Sequence, residues 1–298
     1  MAKSRSFQPL IRQGWLRALL FFIAFGLASG IGITVYFITL HKTNPNGYGL
    51  QNLMNGGGIL PVIGILFVLG LLVTYVFRRW IDRKTFISLG LDFNGHGREA
   101  IAGGMLAVFI ICISSLLLKA TGHLKWMDII FDPKALFLAF GSTLVVAFYE
   151  ELIFRGYILN NLMESFPKWL ALIVSAALFM LYHLTSQASI GFFAMVNSLI
   201  MGLILGLNYS YSKNLWFSVF FHIGWKFLEG PVFGFSGDES FQTLLQPELN
   251  GDTSITGGTN GLEGSVILMA ASLLSLVALY LFLQHKFNQQ FRPVPDRI

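Results

Sequence analysis

Long apolar runs separated by short polar clusters dominate the chain. Eight of them stand out, at about 15–40, 58–78, 100–119, 134–155, 168–184, 190–209, 214–230 and 264–284. Helices of about 20 apolar residues can cross the ~30 Å hydrocarbon core of a bilayer. The fifth and seventh runs are shorter and interrupted by polar residues, which suits helices inside a bundle rather than against lipid. The pattern predicts an all-α membrane protein with about eight transmembrane helices in one bundle, residues 1–298 forming a single polytopic domain. The one long extramembrane connection, about 231–263, is Gly-rich and acidic, with five acids and no Lys or Arg. The first run is too long for the apolar core of a secretory signal, about 7–15 residues, and reads as a retained first span.

Composition sharpens this picture. Of 298 residues, 54% are hydrophobic and only 12% charged, against roughly a quarter charged in soluble domains. Disorder is excluded and a soluble globule is a poor fit. The formal charge of +5 comes from basic clusters beside apolar runs, not from one polar face, so the implied partner is the lipid bilayer and not nucleic acid. With the N-terminus inside, fifteen of the 20 Lys and Arg fall on the inner side, four fall outside and Lys226 lies within a span. That excess predicts both termini in the cytoplasm. The single cysteine, Cys112, builds neither a disulfide framework nor a cysteine zinc site within the chain. Gly26-x-x-x-Gly30 and Gly202-x-x-x-Gly206 let helix backbones approach closely, which favours packing within one bundle and leaves the oligomeric state open.

Ionisable residues in apolar spans are costly and need a reason. Three clusters carry them. In Tyr149-Glu150-Glu151-Leu152-Ile153-Phe154-Arg155, Glu151 and Arg155 are four apart and lie on one helix face, an orientation that favours an ion pair. Glu150 is turned by about 100° and points elsewhere, so one carboxylate can be structural while its neighbour works as a base. Alternatively, both acids sit solvated at the membrane border. In Phe179-Met180-Leu181-Tyr182-His183, His183 is either a packing residue or part of a site. In His222-Ile223-Gly224-Trp225-Lys226, His222, Lys226 and Glu229 share a face, and Lys226 could simply pair with Glu229. Taken together, two histidines and two glutamates in separate apolar helices must satisfy one another or line a water-filled cavity. A glutamate beside imidazoles suits activation of a water, with the carboxylate as general base and an imidazole donating to the developing oxyanion. Such a set could also ligate a metal, although no H-E-x-x-H pairing is present.

The succession EELIFR at 150–155, FMLYH at 179–183 and HIGWK at 222–226 resembles the CPBP family. These are the CAAX-processing and bacteriocin-processing intramembrane proteases, also called the CAAX protease or Abi family of intramembrane glutamic endopeptidases. The resemblance covers roughly 134–230, and less surely SLGL at 88–91 and the GPVFGFSG and TGGTNGLEG stretches. It implies a multi-pass protein of a bacterial cell membrane that cuts peptide or prenylated-peptide substrates near the membrane surface. It also implies catalysis by Glu150 with His183 on a water, Glu151 held by Arg155, an oxyanion donor in His222, and no cofactor or metal. One position departs from the pattern: Lys226 stands where the family usually has Asn. Its ammonium could stabilise the oxyanion or could pair with Glu150 and spoil the base. The second outcome implies an inactive member acting as a membrane scaffold or bacteriocin-immunity protein. With the fourth span ending at 155, Glu150 and His183 differ in depth by about 10 Å. Extending that helix to about Asn161 removes the mismatch.

Overall fold

The computed structural model of the chain describes residues 8–43, 59–184, 191–235 and 241–290. Eight helices occupy the eight apolar runs: α1 Gly14–Thr43, α2 Ile59–Val76, α3 Gly97–Ala120, α4 Pro133–Glu151, α5 Lys168–Leu184, α6 Phe192–Ser212, α7 Trp216–Phe227 and α8 Val266–Gln290. Among the described residues, six helical segments are long and apolar enough to cross a membrane, those of α1, α2, α3, α4, α6 and α8, while α5 is a shorter apolar helix. The protein is an integral membrane protein. Helix α7 has only 12 residues before a π-helical turn at Leu228–Val232, and it packs mainly on α3 and α4.

Small residues set how closely these helices meet. A Cβ on Gly103 of α3 would lie 2.1 Å from the Phe217 carbonyl oxygen of α7, so the two backbones touch there. On α6, a Cβ at Gly202 would meet the Ala176 backbone of α5 at 3.0 Å, and one at Gly206 would meet Leu172 at 2.6 Å. The second glycine pair thus packs helices within the bundle, as its spacing implies. Gly26 and Gly30 face no described atom within 4 Å.

Helix α4 starts at a well-formed cap. The Asp132 carboxylate accepts from the backbone N–H groups of Lys134 and Ala135 at 2.9 and 3.0 Å, with Pro133 in the first turn, where its missing N–H costs nothing. Beyond Glu151 the helix widens to π geometry over Leu152–Leu159 and ends in a last α turn at Asn160–Leu162. The 155 limit is therefore too short, and the longer helix removes the depth mismatch.

A cluster of charges fastens the lower half of this helix. Asp82, fully buried, accepts from Arg17 Nη1 at 3.0 Å, Arg78 Nη1 at 2.9 Å, Tyr157 Oη at 3.0 Å and Asn161 Nδ2 at 3.2 Å. Arg17 also pairs with Glu164, which in turn pairs with Lys84. Arg17, Arg78 and Arg155 are buried, so they are not the flanking cations that the orientation count took them for, which leaves twelve against four. Of those twelve, Lys3, Arg5, Arg292 and Arg297 lie outside the described residues.

The described residues are mostly helical, as an all-α membrane protein requires, and one short strand pair joins two connecting segments. Strands β1 (Leu124–Ile129) and β2 (Leu245–Leu249) form an antiparallel pair with an irregularity between Trp126 and Asp128. Trp126 packs against Phe233 and Phe235, ring centroids 5.6 Å apart in both cases. Each strand is too short to show an alternating pattern, and its partner is far off in sequence.

Candidate active site

The end of α4 turns its two glutamates in different directions, as adjacent helical residues must. Glu150 Oε2 lies 3.5 Å from His183 Nε2 of α5 and 3.6 Å from His222 Nε2 of α7. Glu151 Oε1 accepts from Arg155 Nη1 at 3.0 Å and sits 2.9 Å from His222 Nδ1. The expected ion pair between Glu151 and Arg155 is therefore present, and His222 is gripped by both carboxylates. The side chains of Glu150, His183 and His222 are 6, 10 and 0% exposed, so their charges act where water screens them little.

Phe179 ties the first two motifs together. Its backbone carbonyl accepts from His183 Nδ1 at 3.1 Å, and its ring lies 4.2 Å from the imidazole and 4.2 Å from the Arg155 guanidinium carbon. The F-x-x-x-H spacing puts these groups on one helix face. Arg155 Nη2 donates to the Gly202 carbonyl of α6 at 3.1 Å, so the guanidinium links three helices.

Two tyrosines that the motif reading did not assign complete the surroundings. Tyr149 Oη lies 3.5 Å from Glu150 Oε1 and 3.2 Å from Tyr182 Oη. The carboxylate is thereby divided, with Oε1 towards the tyrosines and Oε2 towards the imidazoles. The only sequence signal for this pair is position, since each tyrosine directly precedes a motif residue.

The protonation pattern has a chemical consequence. A carbonyl and a carboxylate only accept hydrogen bonds, so Nδ1 of both imidazoles carries the proton. In the neutral rings both Nε2 atoms are then lone pairs aimed at Glu150 Oε2. Among the described residues, neither Glu150 Oε2 nor His222 Nε2 has a hydrogen-bond partner. Two acceptors, Glu150 Oε2 and His222 Nε2, converging in a buried place call for a shared donor or a cation: a water, an added proton or a metal ion. Glu150, His183 and His222 each offer one ligand atom, all within 4.8 Å of one another, a His/His/Glu set of the type that holds zinc with an open position.

Lys226 lies one turn beyond His222 on α7. Its Nζ pairs with Glu263 Oε1 at 3.6 Å; Glu229 and Glu150 act on it electrostatically without a direct ion pair among the described residues. Glu229 itself is buried. Glu263 belongs to the TGGTNGLEG stretch, to which the resemblance extends less surely and without assigning this residue a role. SLGL at 88–91 serves the scaffold: Leu89 is buried, its carbonyl accepts from Tyr209 Oη at 3.1 Å, and the Gly90 carbonyl accepts from Leu215 N at 3.0 Å. Of GPVFGFSG, Ser236 and Gly237 lie outside the described residues.

No curated protein and no solved structure matches the chain. The family model described as type II CAAX prenyl endopeptidase, Rce1-like, matches residues 132–228. That segment runs from the cap of α4 past Lys226 and contains Glu150, Glu151, Arg155, His183 and His222. The resemblance read from the three motifs is thus a match to the CAAX protease family over the stretch that holds the site, and it supports a CAAX-type intramembrane protease kind of function.

Proposed function

We propose that the chain is an intramembrane endopeptidase in which Glu150 and His183 activate a water for attack on a peptide bond. The observation that supports this best is Glu150 Oε2, buried at 3.5 and 3.6 Å from two imidazole nitrogens. A water among these atoms gives a proton to Glu150 as its oxygen attacks the scissile carbonyl carbon. His222 keeps its Nδ1 proton on Glu151, and in its doubly protonated form donates from Nε2 to the oxyanion. As the tetrahedral intermediate collapses, the C–N bond breaks and Glu150 passes its proton to the leaving amine. Arg155 balances Glu151, and Tyr149 fixes the rotation of the Glu150 carboxylate.

The substrate is a peptide or prenylated peptide met near the membrane surface. With both termini in the cytoplasm, Glu150 lies about 18 Å of helical rise from the inner end of α4 and His222 about 9 Å from that of α7, which places the reaction towards the cytoplasmic side.

The converging acceptors also favour a second reading, in which Glu150, His183 and His222 hold a divalent cation. When bound, such an ion would polarise the carbonyl and acidify a water, and Glu151 would orient His222 as its outer partner.

A fluorogenic peptide panel, prenylated and unprenylated, tests these readings on detergent-purified wild type, Glu150→Gln, His222→Ala and Lys226→Asn. The proposal expects wild-type turnover and losses of about 10²-fold or more in kcat for the first two variants. Stoichiometric metal in the purified protein, with activity lost to a chelator and restored by the ion, would select the second reading. Silence of wild type and Lys226→Asn alike on every peptide would identify a non-catalytic scaffold.

A further inference from the structure

Lys226 poses a physical problem for the mechanism just proposed. Its four-carbon stem is flexible by type, its side chain is 30% exposed, and it lies within electrostatic reach of both Glu150 and His183. A free ammonium there would be drawn onto the Glu150 carboxylate and displace the water. Glu229 and Glu263 are the other carboxylates that act on it.

Whereas Lys226 has the long stem typical of lysine, Glu263 sits on a sterically constrained backbone. It sits in a 3₁₀ segment, Gly258–Gly264, that closes tightly on itself. Gly257 has φ +91°, and a Cβ there would lie 1.6 Å from the Gly261 carbonyl oxygen. From α6, buried Asn197 donates its Nδ2 to the carbonyls of Glu263 at 2.6 Å and Ser265 at 3.2 Å. The backbone that carries the Glu263 carboxylate, 13% exposed, is thus fixed beside α7, and a partner on a preorganised backbone has less to order on pairing.

We infer that Glu263 is a positioning residue for the site: it holds the Lys226 ammonium and keeps it off Glu150. The pair would then make a lysine tolerable at a position where a neutral amide is usual. This role rests on the proteolytic reading, but the ion pair and its switching can be tested without turnover.

Two measurements on detergent-purified full-length protein test it. The first is thermal stability across double-mutant cycles. Lys226→Asn and Glu263→Gln should be non-additive, the double variant losing no more than the worse single one. In the Glu263→Gln background, the coupling between Lys226 and Glu150 should be larger than in wild type. The second is kinetics. Glu263→Gln should lower kcat at least ~10-fold, a part of the 10²–10⁴ that a general base supplies, with KM changed by less than about twofold. Glu263→Asp should retain most of the turnover, and Glu263→Gln combined with Lys226→Asn should match Lys226→Asn alone, which a merely structural defect would not allow. Additive stabilities, an unchanged kcat in Glu263→Gln, or no rescue in the double variant would overturn the inference while leaving the protease reading intact. A wild type that cuts nothing while both stability couplings hold would reject the protease reading and uphold the hold of Glu263 on Lys226.

Discussion

Replacing Arg155 with methionine tests whether Glu151 is held as an ion inside the bundle. The guanidinium is 1% exposed and donates at 3.0 Å to a carboxylate that is fully buried. Without it Glu151 keeps only His222, and its Oε2 has no hydrogen-bond partner among the described residues. Breaking a buried pair by removing one member costs about 3–5 kcal/mol, because the other charge stays buried. The lost stacking on Phe179 at 4.2 Å adds about 0.5–2 kcal/mol, with overlap between the two. Arg155→Met should therefore destabilise the protein by about 4 kcal/mol, whereas Arg155→Met with Glu151→Gln should cost only about 1–2 kcal/mol, since no uncompensated charge remains. Reversible unfolding in mixed micelles with increasing SDS, followed by tryptophan fluorescence, measures both. A single variant costing under about 1 kcal/mol, or a double variant no better than the single one, would refute the picture of a buried compensated carboxylate.

Three further outcomes follow from other contacts. Tyr149→Phe removes the hydroxyl beside Glu150 Oε1 and keeps the ring, so kcat should fall about tenfold with KM little changed; equal kinetics would mean that the carboxylate is oriented otherwise. Burial works against the charge on Glu164, but hydrogen bonds from Lys84 and Arg17 outweigh it and hold its pKa below the ordinary glutamate value. Its stabilising contribution is thus fully present above that ordinary value and is lost as pH falls through the lower folded one. Melting curves in detergent from pH 6 down to pH 3 should show a drop that is shallower in Glu164→Gln, and parallel curves would contradict the assignment. Gly103→Ala places a methyl 2.1 Å from the Phe217 carbonyl oxygen and forces α3 and α7 apart. We expect a loss of about 1–3 kcal/mol in the same SDS titration, and a neutral result would show that the helices do not meet as described.

The helices were legible because a membrane span must satisfy its own backbone and face lipid, which leaves long apolar runs in the sequence. The site was legible for the converse reason: Glu150, Glu151, His183 and His222 are expensive in such runs and had to find one another. Local spacing carried the pairing of Glu151 with Arg155 and the contact of Phe179 with His183, both one helical turn apart. Where partners come from distant segments, spacing is silent. Nothing near Lys226 points to Glu263, which arrives from a Gly-rich loop that reads simply as acidic. Arg17 and Arg78 looked like flanking cations because a count by position cannot see Asp82 between them. The two strands were invisible for the same reason, since a pair of five- and six-residue segments has no pattern until it is joined.

The π-helical stretch from Leu152 to Leu159 acts as a phase coupling within α4. Before it the glutamates must face α5 and α7; near its end and just past it, Tyr157 and Asn161 must face Asp82. One residue corresponds to about 100° of rotation on a helix, so deleting a single position in the stretch would turn one end out of register with its partners. The wide turns thus set the angular gearing between the buried charge cluster and the glutamate pair, and neither end can be re-aimed without disengaging the other.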